Sequence, residues 1–293
     1  TYGVKIDSTN PDAGSQEEID AANANKGTMR SPDIFDINVS TSSKYLGTGI
    51  FAPYKVKLWS YLSGASAFSS NGEATPNYSG TLTIGYDSAL GTITKLDDLL
   101  KPIFKGKVAM NGDPLVSGTA LNGVFMINKA LGGTMDDVSA GMAWFKKMKQ
   151  AGNFITIKPS EASYASGQTP VVIDNLYLQL GVQQKMKAAG RVWKIYTPAV
   201  VGSTYTSAIS AWAPHPACAR LWLEYALGEN GAKFWSVGGA TPTLWPWLVK
   251  TRRAPADGIA VIGKSKISAE QATAAQSAKA REYLKTAWPA AMS

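Results

Sequence analysis

The sequence predicts a mixed α/β protein, and three observations carry that prediction. Short β-rich runs alternate along the chain with helical stripes, the pattern of strands and crossover helices in a mostly parallel sheet. The stretch KGKVAMNGDPLVSGTALNGVFMINKALGG, Lys105 to Gly133, passes from an apolar strand (Lys107 to Met110) through a polar loop (Asn111 to Pro114) into an apolar helix. At 293 residues the chain is long enough for two lobes of ordinary size.

The elements follow in order. Ser31-Pro32 precedes a strand, Asp33 to Asn38, after which Ser40, Thr41, Ser42 and Ser43 offer caps for a helix around Lys44 to Leu46. Residues 60–79 are irregular and predict a long surface loop. TLTIGYD, Thr81 to Asp87, is β-rich and ends in a polar turn. Asp136-Asp137 open a helix whose apolar stripe is Val138, Met142, Phe145 and Met148; Lys146, Lys147 and Lys149 complement its C-terminal dipole and Gly152 stops it. PVVIDNLYL, Pro170 to Leu178, begins as a strand and turns helical after Asp174. Val192 to Tyr196 alternates at period two, and Thr206 to Trp212 predicts another strand. Pro216 suits the first turn of a helix with Cys218, Leu221, Trp222 and Tyr225 on one face. Ser268 with Gln271 three residues on is a capping box for a last helix, Ala269 to Thr286.

Composition narrows the function. Hydrophobic residues make up 45% and charged residues 17%, a globular balance, and no apolar run approaches the ~20 residues that span a bilayer. One cysteine, Cys218, excludes an intrachain disulfide and a cysteine-built zinc site; its spacing reads as a small buried hydrophobe. The net charge of +8 is scattered over single lysines, densest at Lys250-Thr251-Arg252-Arg253, with no basic stripe or recognition helix, so nucleic acid is not an expected partner. GIAVIGKS, Gly258 to Ser265, fits the phosphate-loop pattern. Yet TRRAPAD upstream is no strand, and the Ile-Ala-Val-Ile run looks like a strand itself, a poor wrapper of phosphates. The single histidine, His215, leaves little room for a catalytic triad, and no nucleophile elbow is present. No charged-plus-apolar leader opens the chain, which fits a cytosolic protein or an exported one with its signal removed.

What the residues do provide is a ligand-holding feature. Free backbone N–H groups at the start of a helix, flanked by Ser117 and Thr119 with Gly118 between them, form an anion site. The loop that leads to it lies where open α/β sheets place ligands, off the carboxyl ends of strands.

An ordered set of segments then points to a family: NPDAGSQEEIDAANANKG, PDIFDINVS, FAPYKV, GKVAMNGDP, ASGQTPVVIDNLYL and APHPACARLWLEYALGENGAKFW. Together they resemble the extracellular solute-binding proteins of ABC importers, in the cluster that includes ferric-iron, polyamine, thiamine and phosphorylated-solute binders. The resemblance covers nearly the whole chain. It implies a two-lobed α/β fold of the periplasmic-binding-protein type II, with two crossing hinge strands, a ligand cleft between the lobes and closure on binding. It also implies a periplasmic or extracellular place, a membrane permease as partner, a small-molecule solute, a monomer, no catalysis and no cofactor. TYGVKIDSTNPDAG is similar to the family's second strand, so a first βα unit is expected to be absent from the chain. The expected lobes are residues 1–86 with 212–240, and 88–204. Hinge strands are expected at 85–88 and 205–211, and the tail 241–293 is left unassigned between the lobes.

The resemblance also carries residues. Ser117, Gly118 and Thr119 match the helix start that holds the anion bound beside the metal in the iron binders. Those binders place two adjacent tyrosines near the second crossing strand, where this chain has Thr204-Tyr205, so a ferric site is the weaker reading and no metal ligands are expected. Asp12, Gly14 and Ser15, then Ser40 and Thr41, then Asp174 and Tyr177 stand where the family puts ligand contacts, and Asp113 lies in the loop before the helix. Each has a structural reading beside the functional one. Ser40, Thr41 and Asp174 are good helix caps, Asp113-Pro114 is a common turn pair, and Tyr177 and Tyr205 suit a core with one hydrogen bond. Trp245 and Trp247 are read as core or as cleft lining. The expected function is capture of a polar organic solute of amino acid, aminophosphonate or polyamine type. Ferric iron with a helper anion is the alternative, and an enzyme on the same scaffold is the reading from another class.

Overall fold

The computed structural model describes residues 2–8, 14–263 and 269–293. In chain order its elements begin with α1 (Ser15–Ala24), β1 (Ile34–Asn38), α2 (Val39–Ser42), β2 (Phe51–Ala52), α3 (Ala65–Phe68) and β3 (Thr75–Asp87). Next come β4 (Val108–Met110), α4 (Gly118–Ala130), α5 (Ser139–Gln150), α6 (Glu161–Ser166), β5 (Val171–Asn175), α7 (Leu176–Ala188), β6 (Trp193–Tyr196) and β7 (Gly202–Ser210). The order closes with α8 (Pro216–Ala226), α9 (Glu229–Val237), β8 (Thr241–Pro242), α10 (Trp245–Lys250), α11 (Ala256–Ile262) and α12 (Ala274–Met292).

The chain divides into two compact units. The first comprises residues 1–79, 204–237 and 241–266; the second comprises 80–203, 238–240 and 267–293. β3 passes from the first to the second between Ser79 and Gly80, and β7 passes back between Ser203 and Thr204.

In the first unit β1 runs antiparallel to β7, from Ile34 opposite Ile209 to Asn38 opposite Tyr205. The period-two alternation of a strand sends Phe35 and Ile37 into a core with Ile19 and Ala22 of α1, and sets Asp36 and Asn38 on the other face. A second core joins α8, α9, α10 and α11 around Leu223, Ala232, Trp245 and Leu248, all almost fully buried.

The second unit is built on β3, which pairs antiparallel with β5 and β6, while β4 lies parallel to β5. Its core is aromatic. Phe145 of α5 meets Trp144, Phe154 and Trp288 edge-on, with centroids 5.1, 5.3 and 5.3 Å away, the geometry that ring quadrupoles favour. Gly85 in β3 is dictated by contact: a Cβ there would run into Gln179 Oε1 and Trp193 Nε1, which bond each other at 2.9 Å. Asn128 of α4 is wholly buried and donates to the carbonyls of Thr134 and Asp137 while accepting the Gly141 N–H, so one side chain ties the α4–α5 turn together.

Several sequence expectations are corrected here. The sheet is not mostly parallel. Among the described strand pairs only β4–β5 is, because β5, β6 and β8 each return along the long β3 against its direction. β3 starts at Thr75, inside the stretch expected to be loop, and residues 2–8 carry no strand. The helix expected at Lys44 to Leu46 is instead α2, capped by Asn38, whose Oδ1 accepts the Ser40 N–H at 2.9 Å. Cys218 is exposed, because the buried stripe of α8 is Ala219, Leu223 and Ala226, one position along the helix from the predicted face. The last helix starts at Ala274 with Thr273 and Gln276 as its capping box. Ser268 lies outside the described residues. In the phosphate-loop match, Gly258 to Ile262 are helical, part of α11, while Lys264 and Ser265 fall outside the described residues. Trp245 is core, its Nε1 donating to the Gly263 carbonyl at 3.1 Å.

Candidate functional site

The second unit contains the most convergent set of predicted residues. β4 and β5 are parallel, so their carboxyl ends emerge side by side, with Asn111 just after β4 and Asp174 near the end of β5. Asn111 Nδ2 donates to Asp174 Oδ2 at 3.0 Å, and the Asn175 N–H donates to Asp174 Oδ1 at 2.7 Å. Asp174 is 2% exposed. Burial raises its carboxyl from the ordinary 3.8 to about 7, against the two hydrogen bonds, which favour the charged form.

The loop from Asn111 reaches α4 through a tight turn. Gly112 holds φ at +97°, and a Cβ there would lie 2.8 Å from that of Ser117. Asp113 organises this turn. Its Oδ1 accepts the Leu115 N–H at 2.8 Å and its carbonyl accepts the Ser117 N–H at 2.7 Å, which is its structural role. Ser117 is the N-cap of α4: its Oγ accepts the Ala120 N–H at 3.2 Å and donates to the Asn111 carbonyl at 2.9 Å. Thr119, in the first turn, is buried, and its Oγ1 accepts from Asn175 Nδ2 at 3.4 Å. Asn111, Ser117, Thr119, Asp174 and Asn175 thus form one polar cluster beside the positive end of a helix dipole. Tyr177, in the first turn of α7, packs toward Gly80, where an added Cβ would come within 2.5 Å of its ring.

The first unit brings together a second set. Ser15, at the start of α1, accepts the Asn38 N–H on its Oγ at 2.9 Å, and Ser40 Oγ donates to Asn38 Oδ1 at 2.8 Å. Gly14 precedes α1 as its N-cap, its N–H bonded to Glu17 Oε2 at 2.7 Å. Thr41 is buried in α2. Tyr205 sits opposite Asn38 in the β1–β7 register and stacks on Tyr78 with centroids 5.5 Å apart and planes 3° from parallel. Tyr78 stacks in turn on Trp235 at 4.1 Å and donates its hydroxyl to Asp36 Oδ2 at 2.9 Å. Glu18 Oε2 accepts the Asp36 N–H at 3.3 Å. Lost hydration, then the Asp36 charge, push Glu18 up to about 8. Lost hydration beside Glu18 and Tyr78 likewise raises Asp36 to about 6, against the Tyr78 hydrogen bond. Asp12 lies outside the described residues.

Sequence reading passed over Asn38, Asn111 and Asn175. A common signal was available: each is an asparagine at the end of a strand, just before a helix or its leading loop. Tyr78, Asp36 and Trp235 had no such signal, because stacking across β3, β7 and α9 is a tertiary fact. Among the described residues, no three His, Cys, Asp or Glu side chains gather as a metal site would require.

The sequence profile described as bacterial extracellular solute-binding protein matches residues 30–257. This chain belongs to that family. A search of curated proteins found no match. Solved structures share the fold at low identity. The periplasmic binding protein P5PA aligns with a TM-score of 0.68 at 18% identity, covering 96% of this chain and 89% of its own. AfuA from Actinobacillus pleuropneumoniae, a periplasmic binding protein with fructose-6-phosphate bound, gives 0.59 at 20% identity, covering 78% and 74%. Iron-bound HitA from Pseudomonas aeruginosa gives 0.58 at 18% identity, covering 88% and 82%. The fold is therefore the type II periplasmic-binding-protein fold expected from the sequence. As a family member the protein is the substrate-binding component of an ABC transporter, not an enzyme, and works outside the cytoplasm, in a periplasm or extracellularly. No helix among the described residues is long and apolar enough to cross a membrane.

Proposed function

We propose that this solute-binding protein captures a small polar organic solute bearing both an anionic group and an amine, as amino acids and aminophosphonates do. One observation supports this most: the hydroxyl-flanked start of α4 and the buried Asp174 carboxyl belong to one cluster, linked through Asn111 and Asn175. The helix start favours a carboxylate, phosphate or phosphonate, held by N–H groups at Gly118 and Thr119 with the Thr119 hydroxyl beside them, while Ser117 caps the turn that presents them. Asp174, whose carboxyl burial raises to about 7 and so leaves partly protonated near neutral pH, ionises fully when an ammonium group arrives to compensate it. A polyamine would use Asp174 alone and leave the helix start unused, which places it second. In the first unit, Gly14, Ser15, Ser40, Thr41 and Tyr205 are the proposed contacts, arranged around Asn38. Capture is proposed to proceed by hinge closure of the two units, as a monomer that delivers to its membrane permease.

Native mass spectrometry of freshly purified protein, followed by calorimetry against α-amino acids, aminophosphonates, sugar phosphates, polyamines and ferric citrate, tests the reading. A zwitterionic phosphonate or carboxylate should bind most tightly. Tight binding of a polyamine with no response to phosphonates, or retention of iron through gel filtration, would replace it.

A further inference from the structure

We propose that the first unit carries a second, solute-independent binding surface: a basic aromatic face around residues 54–61 that adsorbs to an anionic lipid bilayer. The sequence between Ile37 and Gly72 contains no aspartate or glutamate, and within it PYKVKLWSYL places two lysines among three aromatic residues. Lys55 and Lys57 are exposed, and Tyr61 is 49% exposed.

Contacts make this segment one surface with α8 and α10. The Arg220 guanidinium of α8 lies 5.8 Å from the Tyr54 ring, and Lys55 Nζ lies 5.8 Å from the Trp59 ring. Tyr61 stacks on Trp247 of α10 at 5.0 Å, and the Arg253 guanidinium stands 5.2 Å from Trp247 on the same side chain. Lys250, one helical turn beyond Trp247, and the exposed Arg252 extend the positive charge. This includes the basic cluster Lys250 to Arg253, which the solute site does not use.

The acids on this face are already engaged. Glu224 accepts from the Tyr54 hydroxyl at 2.8 Å and the Lys57 N–H at 3.2 Å, and Glu229 pairs with Arg253 at 2.6 Å. What remains outward is Lys55, Lys57, Lys250, Arg252 and Tyr61, with the half-buried rings of Tyr54, Trp59 and Trp247 set between them. Tyrosine and tryptophan rings with one apolar body and one polar edge settle at the headgroup layer, and clustered Lys and Arg draw anionic lipid toward them. Neither feature alone selects a bilayer. Their interleaving on one surface does, because a polyanion needs only the charge and a protein partner would need an apolar centre with depleted charge.

The test is co-sedimentation with extruded vesicles, either pure phosphatidylcholine or phosphatidylcholine with about a third phosphatidylglycerol, at low and high salt. The wild-type protein should pellet with anionic vesicles at low salt, stay soluble with neutral ones, and be released by high salt. The triple variant Lys55→Glu, Lys57→Glu, Lys250→Glu should lose at least about tenfold in partitioning. A matched variant in the second unit, Lys105→Glu, Lys146→Glu, Lys147→Glu, carries the same net charge and should keep wild-type binding. Tyr61→Ala should weaken binding without changing its salt dependence, and melting curves establish that each variant is folded. Absence of binding to anionic vesicles, equal loss in both triple variants, or retention on an acidic polysaccharide without vesicle binding would each overturn the proposal.

Discussion

Asn111 Nδ2 donates to Asp174 Oδ2 across 3.0 Å, fastening the end of β4 to the end of β5. Both ends feed the loops that hold the polar cluster, so this bond sets where the start of α4 stands relative to the one buried carboxyl beside it.

The first prediction is a pH dependence. Asp174 has a folded-state value raised from 3.8 to about 7, so it contributes stability that is fully present below pH 3.8 and lost as pH rises through about 7. At pH 8 the ionised, buried carboxylate costs on the order of 4 kcal/mol. Asp174→Asn should therefore be more stable than wild type at pH 8 and equal to it near pH 4, by urea denaturation. Glu18 and Asp36 act with the same sign, lost through about 8 and about 6, so the informative quantity is the difference between the two proteins. Parallel stability curves across that range would show that Asp174 is not desolvated in solution.

A second prediction separates stability from binding at the start of α4. Thr119 is buried and accepts from Asn175, so Thr119→Val keeps its shape and removes one hydroxyl. It should cost about 1–2 kcal/mol in the empty protein. Ser117→Ala removes the α4 cap and should cost about 1 kcal/mol. Melting temperatures with and without solute distinguish these costs from any loss of affinity.

The third prediction concerns Gly85. A methyl group at this position meets Gln179 Oε1 and Trp193 Nε1, both locked in buried hydrogen bonds. Gly85→Ala should destabilise by roughly 2–4 kcal/mol and shift tryptophan fluorescence as Trp193 is displaced. A neutral substitution would mean that β3 and α7 lie further apart than described.

Asn128 supplies a fourth. Its amide serves Thr134, Asp137 and Gly141 at 2.8, 2.8 and 3.0 Å with no access to water. Asn128→Ala leaves three backbone groups unmet and a cavity behind, a loss of about 3–4 kcal/mol by denaturant titration. Hydrogen exchange should show the damage first at Gly141.

Some of this was legible in the sequence. The strand-loop-helix from Lys107 to Ala130 was readable because each transition has a local cause: an apolar run, a Gly-Asp-Pro turn, and a serine cap. The strand-to-helix switch after Asp174 and the Pro216 helix were readable for the same reason. Sheet direction was not, since β3 takes partners from distant parts of the chain and nothing local marks which way they run. The face of α8 was not legible because Cys218, Leu221 and Trp222 look more hydrophobic than Ala219, yet the buried stripe is Ala219, Leu223 and Ala226. At the candidate site, Ser117 and Asp174 announced themselves by position. Asn111 and Asn175 did not, because their importance is to hold other polar side chains.

The central claim is that the start of α4 receives an anionic group of the solute while Asp174 receives its amine. Calorimetry on wild type, Thr119→Val and Asp174→Asn, with an aminophosphonate and with its amine-free phosphonate counterpart, tests it most directly. The account predicts that Thr119→Val weakens both ligands by about tenfold, and that Asp174→Asn weakens only the aminophosphonate, by tenfold or more. Equal affinity of both ligands for all three proteins would contradict it.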